Sequence, residues 1–425
     1  FARCYHPPGN AGFPIMIART SEAHGVVDSP TAWFRLVVAM VISTIGGVGM
    51  WSIMVALPTI QTDFGVSRAN ASLPFTMVMF GFAGGGVLMG RLADRFGIAV
   101  PLAIGTLAVS AGYLATGWSS SLWQVALAHL VIGIGCSASF GPLMADISHW
   151  FVRRRGIAVS LAAVGNYIAG TIWPPLLQHF IATSGWRATH IVVGLFCLVT
   201  MLPLVLFMRR RIEDHHSDEP SAAAAQRQAA MPLSPMALQV LLCIAGVACC
   251  VAMAMPQVHI VAYCGDLGYG VARGAEMLSM MLGFGIISRV GSGFIADRIG
   301  GVATLLLGSV LQGTALFLFL WFDGLVSLYI ISALFGLFQG GIVPSYAIII
   351  REYFSPREAG TRLGIVLMAT LIGMALGGWL SGLIFDLTGS YRAAFFNGLA
   401  WNLVNVSIMA WLLQRSRRRG QLAAA

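Results

Sequence analysis

The chain is 425 residues long, 57% hydrophobic and only 10% charged, with a mean hydropathy of +0.81. Soluble domains carry roughly 25% charged residues, so this composition excludes a soluble enzyme or binding module and requires a membrane-embedded protein. The net charge of +9 does not point to nucleic acid, because the 25 basic residues are all arginines and lie mostly at span ends, not in one patch.

Residues 1–33 read as a polar tail, in which 1–15 look like an extension upstream of a start at Met16. Apolar runs near 34–60, 72–91, 99–117, 122–147, 155–181 and 188–208 predict six membrane helices, each close to the roughly 20 residues that cross a bilayer core. The stretch "RRRIEDHHSDEPSAAAAQRQAAMPLSP" (209–235) is charged, Ala-rich and Pro-dotted, the composition of a flexible linker. Runs near 236–264, 274–296, 302–322, 326–350, 361–385 and 393–413 predict six more helices, and 415–425 a short tail. No period-2 alternation of the barrel kind is present. The expected fold is therefore all-α, with twelve transmembrane helices in two six-helix bundles, 34–208 and 236–414. With both termini on one side, twenty arginines fall on that side and four (Arg68, Arg187, Arg273, Arg392) on the other. The arginine-rich side is expected to be cytoplasmic. Arg289 alone lies inside a span.

The seven cysteines form no C-x-x-C pair and read as small hydrophobes, His215–His216 is too sparse for a metal site, and no catalytic or phosphate-binding motif occurs. An enzyme would need clustered acid/base or metal residues at mid-membrane depth, which the spans lack. No metal or cofactor is expected.

The halves repeat. "GRLADRFG" (90–97) and "GFIADRIG" (293–300) match at five of eight positions, and "GWRA" (185–188) is echoed by "SYRA" (390–393). Two similar halves of six spans suggest a transporter with its site at their interface. The repeated loop resembles the signature of the major facilitator superfamily. In that loop Gly90 and Gly293 would permit close helix approach, and Asp94 and Asp297 would face a neighbouring helix N-terminus. Arg95 and Arg298 would pair with acids across a gate, and Gly97 and Gly300 close the motif. Three further stretches, "WFVRRRGIAVSLAAVGNYIAG" (150–170), "PQVHIVAYCGDLGYG" (256–270) and "ISRVGSGFIADRIG" (287–300), are similar to the monocarboxylate and oxalate–formate transporter families, the second to bacterial members. The resemblance implies that Arg289 holds the substrate carboxylate. It has departures. Animal monocarboxylate transporters place an Asp four residues before that arginine, where this chain has Gly285. The chain has no lysine, and His129 is the best match to a fourth-span arginine common in the superfamily.

Inserting an arginine at mid-helix costs about 2.5–3.5 kcal/mol on insertion scales. Either Arg289 snorkels to the surface as a structural residue, or it faces a cavity as an anion site. All 16 acids lie in loops, tails or near span ends, Asp146 being the nearest to an intramembrane partner, which favours a counter-ion arriving as substrate. A guanidinium offers a carboxylate two parallel N–H donors. His259 and Asp266 are seven residues apart and share a helical face. His259 is expected to hydrogen-bond the substrate, and His259 or Asp266 to take up a coupled proton; the alternative is an interfacial His and a solvated Asp. Asn166, Phe338 and Tyr346 are candidates to line the cavity; packing explains Asn166 equally well, and aromatics in membrane helices usually just pack.

The function expected is a secondary transporter of a small organic anion, a monocarboxylate such as lactate or pyruvate, coupled to protons. It would act by alternating access as a monomer in a bacterial inner membrane. The alternatives are an exporter or antiporter of larger organic anions or drugs, and a transport-dead membrane sensor.

Overall fold

The computed structural model describes residues 27–210 and 233–424. The expected Met16 start, the first 26 residues and most of the linker lie outside the described residues. Among the described residues, twelve helical spans are long and apolar enough to cross a membrane. They are α1 (Pro30–Phe64), α2 (Arg68–Phe96), α3 (Ala99–Gly117), α4 (Leu122–His149), α5 (Arg155–Ser184) and α6 (Trp186–Leu206) in the N-terminal half. The C-terminal half holds α7 (Pro235–Asp266), α8 (Val271–Ile299), α9 (Gly301–Trp321), α10 (Leu325–Tyr353), α11 (Pro356–Thr388) and α12 (Tyr391–Ala424). Most described helices run past the apolar core predicted for them, because polar ends extend beyond the hydrocarbon; α3 coincides with its predicted run, and α6 and α9 end two residues and one residue short of theirs. The face from which α1 and α7 start is here the linker face, and the opposite one the far face.

Local signals set the helix ends. Ser29–Pro30, Ser234–Pro235 and Ser355–Pro356 start α1, α7 and α11, a serine before the helix and a proline at its first position. Ser29 and Ser234 accept from the amides of Ala32 and Ala237. The glycines that close the repeated motif, Gly97 and Gly300, have φ of +80° and +82°, which only glycine adopts without strain. Their amides donate to Ala93 and Ala296 at 2.8 and 2.9 Å, ending α2 and α8 alike.

Small residues set the packing, as expected where lipid is as apolar as the core. α2 and α4 meet through Gly81 and Gly133, whose added Cβ atoms would strike the partner's backbone. α8 and α10 meet in the same way through Gly336, where a Cβ would lie 2.7 Å from the Met281 carbonyl carbon. α1 is interrupted at Gly47 and α10 at Gly340–Gly341. The first break packs on α5 at Ala169 and Asn166, the second on α8 at Ser288 and Ser292.

Two seams join the halves. One runs along α2 and α11, from Ala69 against Gly382 to a Thr76 hydroxyl donating to the Ala375 carbonyl. The other runs along α5 and α8, from Ser279, which donates to the Thr171 carbonyl, to Arg289 at Ala163. Beyond these levels the halves part toward the linker face. Gly90 and Gly293 would meet nothing within 4 Å there. The expectation that they mediate close helix approach is corrected for this conformation: the linker face is splayed, so they have no helix to approach. Asp94, Arg95, Asp297 and Arg298 are likewise exposed. The N-terminus of α9 is met by Glu352, not by Asp297, with the Gly301 amide donating at 3.1 Å.

Gly336→Ala is expected to destabilise the protein by about 1–3 kcal/mol through overpacking against Met281, and Gly293→Ala to leave stability within error. Unfolding of both variants in an SDS titration checks this.

Candidate functional site

Arg289 sits ten residues before the linker-face end of α8, and Tyr167 twelve residues into α5. At about 1.5 Å per residue both lie near the middle of a core about 30 Å thick. The Arg289 Cζ stands 4.3 Å from the centroid of the Tyr167 ring, a cation–π contact between the halves. Its Nη1 donates to the Ala163 carbonyl at a long 3.4 Å, and its buried Nε has no hydrogen-bond partner. Among the described residues no carboxylate pairs with it. Asp146 pairs instead with Arg35, at 2.8 Å, on the linker side of the N-terminal half. That arginine also donates to the Met208 carbonyl and lies over Trp150.

A second charged group crosses between the halves at the far face. Arg68, at the start of α2, makes a two-pronged pair with Asp266 at the end of α7, at 3.1 and 3.2 Å. Its Nη1 also donates to the Tyr391 hydroxyl at 2.7 Å, and its Cζ lies 4.7 Å from the Phe385 ring. The backbone joins in: Asp386 accepts from the amides of Arg68 and Ala69 at 2.8 and 2.7 Å. The Tyr391 hydroxyl is 3.2 Å from His259 Nδ1, and His259 Nε2 is 2.8 Å from the Gly378 carbonyl. A carbonyl only accepts, so Nε2 carries the hydrogen and Nδ1 accepts from Tyr391. The donors then run in one direction, from Arg68 to Tyr391 to His259 to Gly378. Above this clamp a cleft of about 280 Å³ opens outward, lined by Pro58, Gln61, Thr62, Arg68 and Asp266 among others.

The expected site residues are thus divided between two places. Arg289 is at the mid-depth seam with Asn166 nearby on α5, half-buried with its amide oxygen against the break in α1. Phe338 is half-buried just before the break in α10. His259 and Asp266 belong to the far-face clamp. His259 is fully buried, so its expected contact with substrate is corrected for this conformation: closure of the far face encloses it. Tyr346 is also corrected. It is fully buried inside the C-terminal half, with its hydroxyl against Cys249 Sγ at 3.5 Å. Sequence reasoning missed Arg68, Asp386, Tyr391 and Tyr167. Two signals were present, since Arg68 is one of only four far-side arginines and Tyr391 lies in the "SYRA" repeat.

A model of the Major Facilitator Superfamily matches residues 39–332 and 292–424. Monocarboxylate transporter 13 of Rattus norvegicus is 29% identical over 352 residues, covering 80% of this chain and 78% of its own. Monocarboxylate transporter 11 of Homo sapiens is 26% identical over 419 residues, covering 92% and 84%. The Agnestins efflux protein AgnL12 of Paecilomyces divaricatus is 23% identical over 326 residues, covering 76% and 73%. Among solved structures, a bacterial homologue of the human lysosomal transporter Spinster, inward-facing and unoccupied, is similar with a TM-score of 0.68 at 16% identity. The match covers 92% of this chain and 98% of that one. The peptide transporter POT in complex with sulfate gives 0.72 at 12% identity, covering 95% and 99%. At these identities the structural likeness shows the fold.

Arg68→Gln removes the charge that ties α2 to α7. In a cysteine-free background carrying Thr76→Cys, maleimide labelling of the purified protein is expected to rise about tenfold or more with Arg68→Gln, because losing about 1.4 kcal/mol from closure already shifts it tenfold. An unchanged labelling rate would show that the apolar seams alone close the far face.

Proposed function

The chain belongs to the Major Facilitator Superfamily, and we propose that this member carries a small organic monocarboxylate, such as lactate or pyruvate, together with a proton. It would do so by alternating access, as a monomer whose two halves supply the whole site. The observation that carries this reading is Arg289, a permanent charge at mid-depth between the halves with no carboxylate partner among the described residues. Such a charge is costly in a span unless something anionic meets it. The relatives named monocarboxylate transporters support the choice of anion. The arginine-rich linker face supports cytoplasmic termini, and the likeness of residues 256–270 to bacterial members supports a bacterial inner membrane.

The proton would act at the clamp. Asp266 remains reachable, its side chain 37% exposed, and a proton on its carboxylate removes the charge that Arg68 holds. His259, reached through Tyr391, extends the same network. Recognition at Arg289 and release at Asp266 are then separate events on adjacent helices. A second reading, export of a larger organic anion, draws on the fungal relative named an efflux protein.

In proteoliposomes, uptake of labelled lactate or pyruvate is expected to rise with an inward proton gradient and to fall at least about a hundredfold with Arg289→Gln, since hydrogen bonds to a charged group contribute about 1.5–3 kcal/mol and a stranded counter-charge more. Asp266→Asn is expected to abolish the response to the gradient while exchange of substrate at equal pH persists. Uptake indifferent to Arg289→Gln would make the arginine structural. Transport of only bulky anions would favour export.

A further inference from the structure

Arg289 meets a ring face and makes little use of its own N–H donors. The Tyr167 ring lies against the guanidinium from the other half at 4.3 Å, while among the described residues the only N–H donated to protein is the long one to Ala163. Arginine binds a carboxylate through its N–H groups, and here the buried Nε–H has no partner and the Nη1 contact is long, so donors remain for an anion. The ring is buried and the backbone that carries it is anchored. Tyr167 is 7% exposed, its carbonyl accepts from the Thr171 hydroxyl at 2.8 Å, and the adjacent Asn166 carbonyl accepts from Trp51 of α1 at 3.1 Å.

Gly285 lies one turn before Arg289, on the same face of α8. An added Cβ there would lie 2.8 Å from Tyr167 Cδ1 and closer still to Cε1. The ring therefore occupies the space that any side chain at 285 would need. Gly285 and Tyr167 form a matched pair, one position vacated so that the other can reach the guanidinium.

We propose that Tyr167 is the positioning residue of the Arg289 anion site, and that Gly285 is glycine to admit its ring. This rests on the reading of Arg289 as the carboxylate site. A long side chain with many rotamers loses freedom when it binds, and Tyr167 removes much of that freedom beforehand. The pair also bears on substrate class. One guanidinium supplies one positive charge, and the ring face beside it is the negative part of the aromatic quadrupole. A second carboxylate there would meet repulsion, so the site suits a monoanion with an apolar body over a dianion.

The test measures uptake of labelled formate, acetate, pyruvate, lactate and benzoate into proteoliposomes by wild type, Arg289→Gln, Tyr167→Leu, Tyr167→Phe, Gly285→Ala and the Tyr167→Leu/Gly285→Ala pair. Each variant is first checked for a monodisperse, folded state. For the anions whose uptake requires Arg289, Tyr167→Leu is expected to raise KM about three- to thirtyfold, the span of a cation–π contact from exposed to desolvated, with a smaller change in kcat. Tyr167→Phe keeps the ring and should stay within about twofold of wild type. Gly285→Ala should resemble Tyr167→Leu, and the pair should be no worse than either single change, because both act by displacing one ring. Arg289-dependent uptake with an unchanged KM in Tyr167→Leu overturns the inference alone. So does failure of Tyr167→Phe to preserve KM, or a pair whose losses multiply. Absence of Arg289-dependent uptake for every anion overturns the underlying reading and the inference with it.

Discussion

One guanidinium ties the two halves of this protein together at its far face. Elsewhere the halves meet through glycine, alanine and threonine on α2, α5, α8 and α11, and such seams fix shape more than direction, because apolar helices gain little by leaving lipid for one another. Arg68 adds a directional tie. Its two N–H prongs reach Asp266, a third donation reaches Tyr391, and its backbone with that of Ala69 is gripped by Asp386. α2 is thereby tied to α7, α11 and α12 at one point. The clamp is not saturated: the Arg68 Nε is buried without a partner and Asp266 stays open to water. A gate must open again, so a tie that retains access for water and protons suits its position better than a sealed one.

The clamp is a broken symmetry. Asp63 and Gly65 end α1 as Asp266 and Gly268 end α7, both glycines left-handed at φ +60° and +81°. Arg68 has its counterpart in Arg273, and Arg187 in Arg392, each 205 residues on. The partners differ. Asp63 turns inward to Arg187 of its own half at 2.7 Å, whereas Asp266 reaches across to Arg68. Arg392 then stands 3.7 Å from Asp323, and Arg273 pairs with its neighbour Glu276. The mirror of the clamp would join Arg273 to Asp63, and it is not made. Among the described residues the duplicated charges thus yield a single side-chain ion pair between the halves.

What the sequence made legible follows from where physics leaves a one-dimensional trace. Spans are legible because a bilayer demands about twenty apolar residues in a row. Helix starts are legible as Ser-Pro pairs, and the two halves through a repeat whose last glycine needs a positive φ. Arg289 was legible because a charge in hydrocarbon is expensive. Orientation was not. In a soluble helix the polar face marks the outside, but here lipid and core are equally apolar, so nothing in α10 says that Tyr346 turns inward to Cys249 and not toward the space between the halves. Nor could spacing join Arg68 to Asp266, 198 residues away. His259 and Asp266 do share a helical face as expected, but the residues between and beside them, Tyr391 and Arg68, come from other helices. Tyr167 hid for a further reason: its partner position is a glycine, and an absent side chain leaves no mark until the ring that fills it is seen.

The two arginines that reach across between the halves differ in what can release them. Arg68 is matched by a carboxylate, so a proton on Asp266 cancels its strongest partner and weakens the tie directly. Arg289 is matched by a ring face, which carries no charge for a proton or an anion to cancel; on the proposed reading an anion meets its N–H groups and leaves the ring contact in place. On the proposed reading, substrate recognition does not itself have to break a bond between the halves, and gate release does not have to touch the substrate. The two sites communicate through the packing of α7 against α8 and α11, and a ligand shifts that packing only by binding one arrangement better than the other. Tyr167 supplies such a difference, since it belongs to the opposite half and presents its ring to Arg289 only while α5 and α8 stay seamed.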